Sequence, residues 1–119
     1  MTRLALPHLR DFGAGRIINV ASLAGKAVYG SGVGYSMTKF AAVALSHATR
    51  HAGFNDGVRC TALCPGYVVS DMTADVASTP QDKMITQEDI SSAVLTLLAF
   101  SNNASVAELI INCRADVVA

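Results

Sequence analysis

Charge is scarce in this chain of 119 residues, and it cancels: nine basic residues balance nine acidic ones, and charged side chains make up 15% of the sequence. Zero net charge removes any general electrostatic attraction to nucleic acid or to an anionic membrane, so neither is expected as a partner. Cysteine is sparse too. The three present, Cys60, Cys64 and Cys113, are an odd number in apolar surroundings. That argues against a secreted disulfide framework and for a reducing, cytoplasmic compartment; buried structural thiols are the expectation. Long apolar runs are also missing. The longest uncharged stretch, residues 90–107, is interrupted by Ser91, Ser92, Asn102 and Asn103, which makes it a poor membrane span. The opening "MTRLALPHLRDF" has too short an apolar run for a signal peptide and is broken by Pro7. There are no repeats, low-complexity segments or linkers. What is abundant is apolar content, 51% of the residues, which fits one soluble globular domain at most, large enough for a modest core.

Periodicity supplies the architecture. "RIINVAS" (16–22) and "VRCTALC" (58–64) are short runs with little alternation, the pattern of strands buried on both faces of a parallel sheet. Between them, residues 35–53 carry Phe40, Ala41, Ala44, Leu45 and Ala48 at helical spacing and end at Gly53. Strand, helix, strand is a βαβ unit, whose crossover is expected to be right-handed. A second unit comes next. Thr86 can cap a helix with Asp89 three positions on, "ISSAVLTLLAF" forms its body, and "VAELIINC" (106–113) reads as a third strand. Before the first strand, "TRLALPHLRDFGAG" reads as the end of a helix and a glycine-rich turn. The expected fold class is α/β, with about three parallel strands and flanking helices.

In an open α/β sheet, ligands bind beyond the carboxyl ends of the strands. Ser22 lies at the end of the first strand, and Pro65 and Gly66 lie just past the second. Tyr35 opens the connecting helix, and Lys39 stands one turn later on the same face. A free phenol has a pKa near ~10 and is a poor base at neutral pH. An ammonium on the same helix face and the positive end of the helix dipole would both favour the phenolate. With a hydroxyl from Ser22 donating to the same substrate oxygen, these are parts for moving a proton on and off an alcohol or carbonyl oxygen.

"GRIINVAS", then "YSMTK", then "CPGYVVSDMT", in that order, resemble the second half of a classical short-chain dehydrogenase/reductase, and the resemblance covers almost the whole chain. It implies the C-terminal part of a Rossmann-like, doubly wound parallel sheet, acting with NAD or NADP on a small-molecule alcohol or carbonyl substrate. It implies Ser22 as the carbonyl-orienting hydroxyl and Tyr35 as the acid/base. Lys39 would lower the tyrosine pKa and hold the nicotinamide ribose. Pro65, Gly66, Val68 and Ser70 would line the nicotinamide, with the Val68 backbone and Ser70 hydroxyl near the carboxamide; threonine is commoner in the family where Ser70 stands. Residues 71–84 would be the mobile substrate loop. The family's helix corresponding to residues 35–53 takes part in a dimer interface, and the small residues Ala41, Ala42 and Ala44 permit close packing, so a homo-oligomer is expected of the intact protein.

The departures from the family pattern set a second expectation. The glycine-rich turn that cradles a dinucleotide pyrophosphate, the selector for the adenine ribose and the asparagine of the catalytic tetrad would all lie before Met1. Residues 1–119 would then be a partial domain that starts inside the fourth helix, with the first strand missing a neighbour and its edge open. "GSGVGYS" has three glycines at the wrong spacing for a phosphate cradle and reads as backbone flexibility. Two functions from different classes are compatible with this. One is an NAD(P)-dependent oxidoreductase of which this chain is a fragment; the other is a non-catalytic protein that binds no cofactor and acts through association with another subunit. Single residues also keep simpler readings, with Ser22 capping a turn and Lys39 a solvated charge. His47 and His51 share a helix face, but no glutamate stands beside His47 and no third ligand is evident, so a solvated or partner-facing pair is expected in place of a metal site.

Overall fold

Three short strands pair in parallel in a computed structural model that describes residues 1–113. They are β1 (Arg16–Val20), β2 (Arg59–Pro65) and β3 (Glu108–Ile111), in the order β1-β2-β3. The register sets Ile18 against Thr61 and Leu63 against Leu109. The central strand is the most deeply buried, with Ala62, Leu63 and Cys64 fully covered. Burying a side chain such as Leu63 is worth roughly 1.5–3 kcal/mol. Three α-helices flank the sheet: α1 (Thr2–Phe12), α2 (Val33–Gly53) and α3 (Gln87–Ala99). This is the α/β arrangement expected from the sequence, and β1 lies at an edge of the sheet.

Successive strand residues point to opposite faces, and the two faces are covered unequally. On one, Val43 of α2 packs with Ala21, Ala62 and Cys64, flanked by Ala42 and Ile110. On the other, Leu97 of α3 shares a small crevice with Ile18 and Thr61. Leu97 is the buried residue of α3, whereas Leu95 and Leu98 are exposed.

The helix α2 turns its apolar spacing away from the sheet. The residues whose spacing marked it as a helix, Phe40, Ala41, Ala44, Leu45 and Ala48, face solvent. Its buried side is Ser36, Val43, Ser46, Thr49 and Gly53. Hydroxyls are tolerated there because Ser46 and Thr49 donate to the carbonyls of Ala42 and Leu45 at 2.9 and 2.8 Å, and the Asn19 amide of β1 donates to Ser46 Oγ at 2.9 Å. A short polar side chain satisfied within its own helix lets the helix approach the sheet closely.

The two ends of the sheet differ in purpose. At the amino ends of the strands, Arg16 and Arg59 bond the carbonyls of Gly57, Phe100, Phe54 and Asn102. The Arg59 guanidinium also lies 4.2 Å from the Phe54 ring centroid. These groups satisfy carbonyls left without partners where helices end. Gly57, at φ 78°, meets the turn after α1 so closely that a Cβ would lie 1.9 Å from the Gly13 oxygen. At the carboxyl ends the chain stays open, and a cavity forms.

Candidate active site

Ser22 lies just past β1 and opens a 3-10 turn, Leu23–Gly25, and its Oγ accepts the Ala24 N–H at 3.1 Å. The reading of Ser22 as a turn cap therefore holds, and as an acceptor in that bond the hydroxyl keeps its proton to donate. Gly25 is where this turn touches α2: a Cβ there would lie 2.8 Å from the Lys39 carbonyl oxygen. Tyr35 stands in the first turn of α2 at the positive end of its dipole and is 45% exposed. The Lys39 Nζ lies 5.5 Å from the Tyr35 ring centroid, within cation–π range.

Past β2, the Gly66 N–H donates to the Ile111 carbonyl at 2.8 Å, holding Pro65–Gly66 beside β3. Residues 67–69 then form a short parallel bridge with Ile85, through Val69 N to Ile85 O and Ile85 N to Tyr67 O, both 2.9 Å. The Thr73 hydroxyl ties residues 68–73 together, donating to the Val68 carbonyl at 2.6 Å and accepting the Ser70 N–H at 3.1 Å. Its oxygen is 3.3 Å from Ser70 Oγ. Within the expected loop 71–84 the chain makes two 3-10 turns, Asp71–Thr73 and Gln81–Lys83. Met84 and Ile85 are buried at its far end.

These segments enclose a cavity of about 590 Å³ that brings Ser22, Tyr35, Pro65, Gly66, Val68 and Ser70 together. Lys39 is not part of its wall and reaches the site through Tyr35. Met72, Thr73 and Val76 of the expected substrate loop 71–84 line the same cavity, and so do Tyr29 and Tyr67, to which sequence reasoning gave no role. Ser36, beside Tyr35 on the wall, has the one buried side-chain oxygen without a hydrogen-bond partner among the described residues.

The thiols stand apart from this chemistry. Burial pushes the Cys60 and Cys64 thiols up, and for Cys64 the negative charge of Glu108 adds to it, so both are poor nucleophiles. His47 is engaged at Glu108, 2.7 Å from Oε1. Among the described residues no group of three histidine, cysteine or acidic side chains could hold a metal ion, and no helix is long and apolar enough to cross a membrane.

The residues present fit the nicotinamide end of a dinucleotide. Pro65, Gly66, Val68 and Ser70 line the same cavity as Ser22 and Tyr35, a largely apolar wall suited to a flat ring beside two proton-carrying hydroxyls. For the pyrophosphate there is no comparable fit, since Gly30, Gly32 and Gly34 lack the G-x-G-x-x-G spacing.

Residues 1–81 match the family model described as short chain dehydrogenase. An agropine synthesis reductase of Rhizobium rhizogenes is 36% identical over 118 residues, covering 99% of this chain and 27% of that protein. The ketoacyl reductase HetN of Nostoc sp. is 36% identical over 115 residues, covering 94% of this chain and 39% of that protein. The crystal structure of serine dehydrogenase from Escherichia coli superposes with a TM-score of 0.78 at 29% identity, covering 93% of this chain and 45% of that one. The chain thus spans less than half the length of each of these relatives.

Proposed function

The chain belongs to the short-chain dehydrogenase family, and from that premise we propose that it carries the proton-transfer and nicotinamide-facing part of an NAD(P)-dependent oxidoreductase interconverting an alcohol and a ketone or aldehyde. The observation that carries this reading is the convergence of Ser22, Tyr35 and the segment 65–70 on one cavity of about 590 Å³ at the carboxyl edge of the sheet. A bound nicotinamide nucleotide would supply the hydride from its reduced form in reduction and take it up in its oxidised form in oxidation. The Tyr35 phenol gives its proton to the carbonyl oxygen in reduction and takes it back in oxidation, and the Ser22 hydroxyl donates to the same oxygen. Lys39 keeps a positive charge beside the ring, while Pro65, Gly66, Val68 and Ser70 would hold the nicotinamide. The reductases and dehydrogenases among the relatives support the same reaction class.

The experiment is Tyr35→Phe in the intact gene product, assayed for carbonyl reduction and, separately, for cofactor binding by calorimetry. Losing a positioned acid/base costs roughly 10²–10⁴-fold in rate. Turnover is expected to fall by that order with cofactor affinity within a few-fold of wild type. Retained turnover would sink the assignment.

The open edge of β1 favours a second reading. Val20 on that strand is 57% exposed, and an unpaired strand edge is a template for another chain. On this reading the 119-residue chain acts only with another subunit and shows no saturable binding of NAD(H) or NADP(H). Micromolar binding measured by calorimetry on the chain alone would refute it.

A further inference from the structure

The two hydroxyls of the site stand on separate elements, Ser22 at the head of the turn Leu23–Gly25 and Tyr35 on α2. Their relative placement depends on what holds the turn to the helix. One carboxylate reaches both. Glu108, the first residue of β3, takes the Lys26 ammonium on Oε2 at 2.6 Å and His47 Nε2 on Oε1 at 2.7 Å.

Lys26 closes the turn that Ser22 opens, its N–H donating to the Leu23 carbonyl at 2.8 Å. His47 lies two helical turns beyond Lys39, on the face shared by residues 39, 43 and 47. Val43 and the Lys39 carbonyl are the atoms against which Gly25 is pressed. Glu108 is itself fixed by its place on β3 opposite Ala62, a fully buried residue of β2. Its side chain is 23% exposed and that of Lys26 29%, so the pair is shielded more than an open-surface pair, whose worth is small. The first cause holding the Glu108 carboxyl below its usual range is Lys26, and the second is His47.

We propose that Glu108 is a positioning residue for the Ser22–Tyr35 pair, clamping the Ser22 turn through Lys26 and the Tyr35 helix through His47. Its catalytic consequence rests on the oxidoreductase reading above; its structural consequence does not. Misplacing a reacting group by about 1 Å can cost on the order of 10²-fold in rate, so a clamp of this kind governs turnover without touching substrate.

The test is amide hydrogen exchange on the full chain, comparing wild type with Glu108→Gln, which keeps the shape and removes the charge, and with Lys26→Met. Exchange at Gly25, Lys26 and Ala27, whose N–H groups close the turn, is expected to quicken about tenfold in both variants. Exchange in α3, which lies apart from the clamp, should stay unchanged. Lys26→Arg, which keeps a cation, should keep the turn slow. Acceleration of the turn and α3 alike would mark general destabilisation and overturn the proposal, as would no change at the turn.

In the intact gene product, kcat is expected to fall about tenfold in Glu108→Gln with the KM for the nicotinamide nucleotide within twofold. A Tyr35→Phe protein that still turns over would remove the oxidoreductase reading and leave the exchange result to decide the clamp. A dead Tyr35→Phe protein beside a Glu108→Gln protein of wild-type kcat would overturn the clamp alone.

Discussion

At Gly25, a single hydrogen in place of a side chain lets the Ser22 turn lie on the helix that carries Tyr35. A Cβ would meet the Lys39 carbonyl oxygen at 2.8 Å and Val43 Cγ2 at 3.0 Å, and a helix carbonyl cannot swing aside as a flexible side chain can. Gly25→Ala is therefore expected to lower stability by roughly 1–3 kcal/mol, the usual cost of overpacking, read as a lower urea midpoint with an unchanged slope. An unaltered midpoint would mean that the turn can ride away from α2 freely. Glu108 makes the second residue-scale prediction, through pH. Its carboxyl is held below the usual range by Lys26 and then His47, so the folded state releases that proton more readily than the unfolded one. The resulting stability is present above the ordinary glutamate pKa of about 4.3 and is lost as pH falls through the lower folded value. The melting temperature of wild type should exceed that of Glu108→Gln at pH 6, and the gap should close as pH falls below about 4.3. A gap that widens toward acid would contradict the sign.

The elements themselves were largely legible, because their signals are local. The Thr86 cap is a clear case: Asp89 N–H donates to Thr86 Oγ1 at 3.1 Å, and Thr86 N–H to Asp89 Oδ2 at 3.0 Å, the reciprocal pair that a threonine and an acid three apart suggested. The Thr86 N–H, and after it the Thr86 hydroxyl, hold the exposed Asp89 carboxyl low. Thr86→Ala should cost about 1 kcal/mol, appearing chiefly as faster amide exchange in the first turn of α3; equal exchange in both proteins would show that the helix start is held by other contacts. Strand limits were less legible. The expected 16–22, 58–64 and 106–113 became Arg16–Val20, Arg59–Pro65 and Glu108–Ile111, since apolar content continues past the point where backbone pairing stops. The orientation of α2 was not legible at all. Its apolar spacing marked a helix without naming the buried face, and the sheet took the side with Ser46 and Thr49, whose hydroxyls bond carbonyls of the same helix. The candidate site obeyed the same rule: Ser22, Tyr35 and 65–70 were readable from motif order, whereas Glu108 and Lys26 are joined across 82 positions by a contact that only the fold creates.

For the whole molecule, the exposed apolar surface is the feature that remains unexplained by the chain's own packing. Along α2, Val33, Met37, Phe40 and Leu45 are 54%, 67%, 43% and 48% exposed, and Ala41, Ala44 and Ala48 continue the stripe between and beyond them. Apolar patches of this kind on a soluble domain are normally covered by a partner, and small residues among larger ones allow two helices to approach closely. The free edge of β1 with Val20 is a second adhesive surface, of a different kind, since it offers backbone groups as well as apolar area. The two make separable predictions. Sedimentation velocity on the full chain should show association that grows with concentration. Replacing Met37 and Phe40 by glutamate should weaken it at least tenfold if helix faces meet, because two such faces would bring like charges together as apolar area is lost. Val20→Lys should act on any residual association through the strand edge, where lysine is a common device against edge pairing. A monodisperse monomer with a sharp thermal midpoint independent of concentration would count against both surfaces as contacts, and would mean that the buried β2 strand and the Arg16–Arg59 cluster suffice to hold the fold on their own.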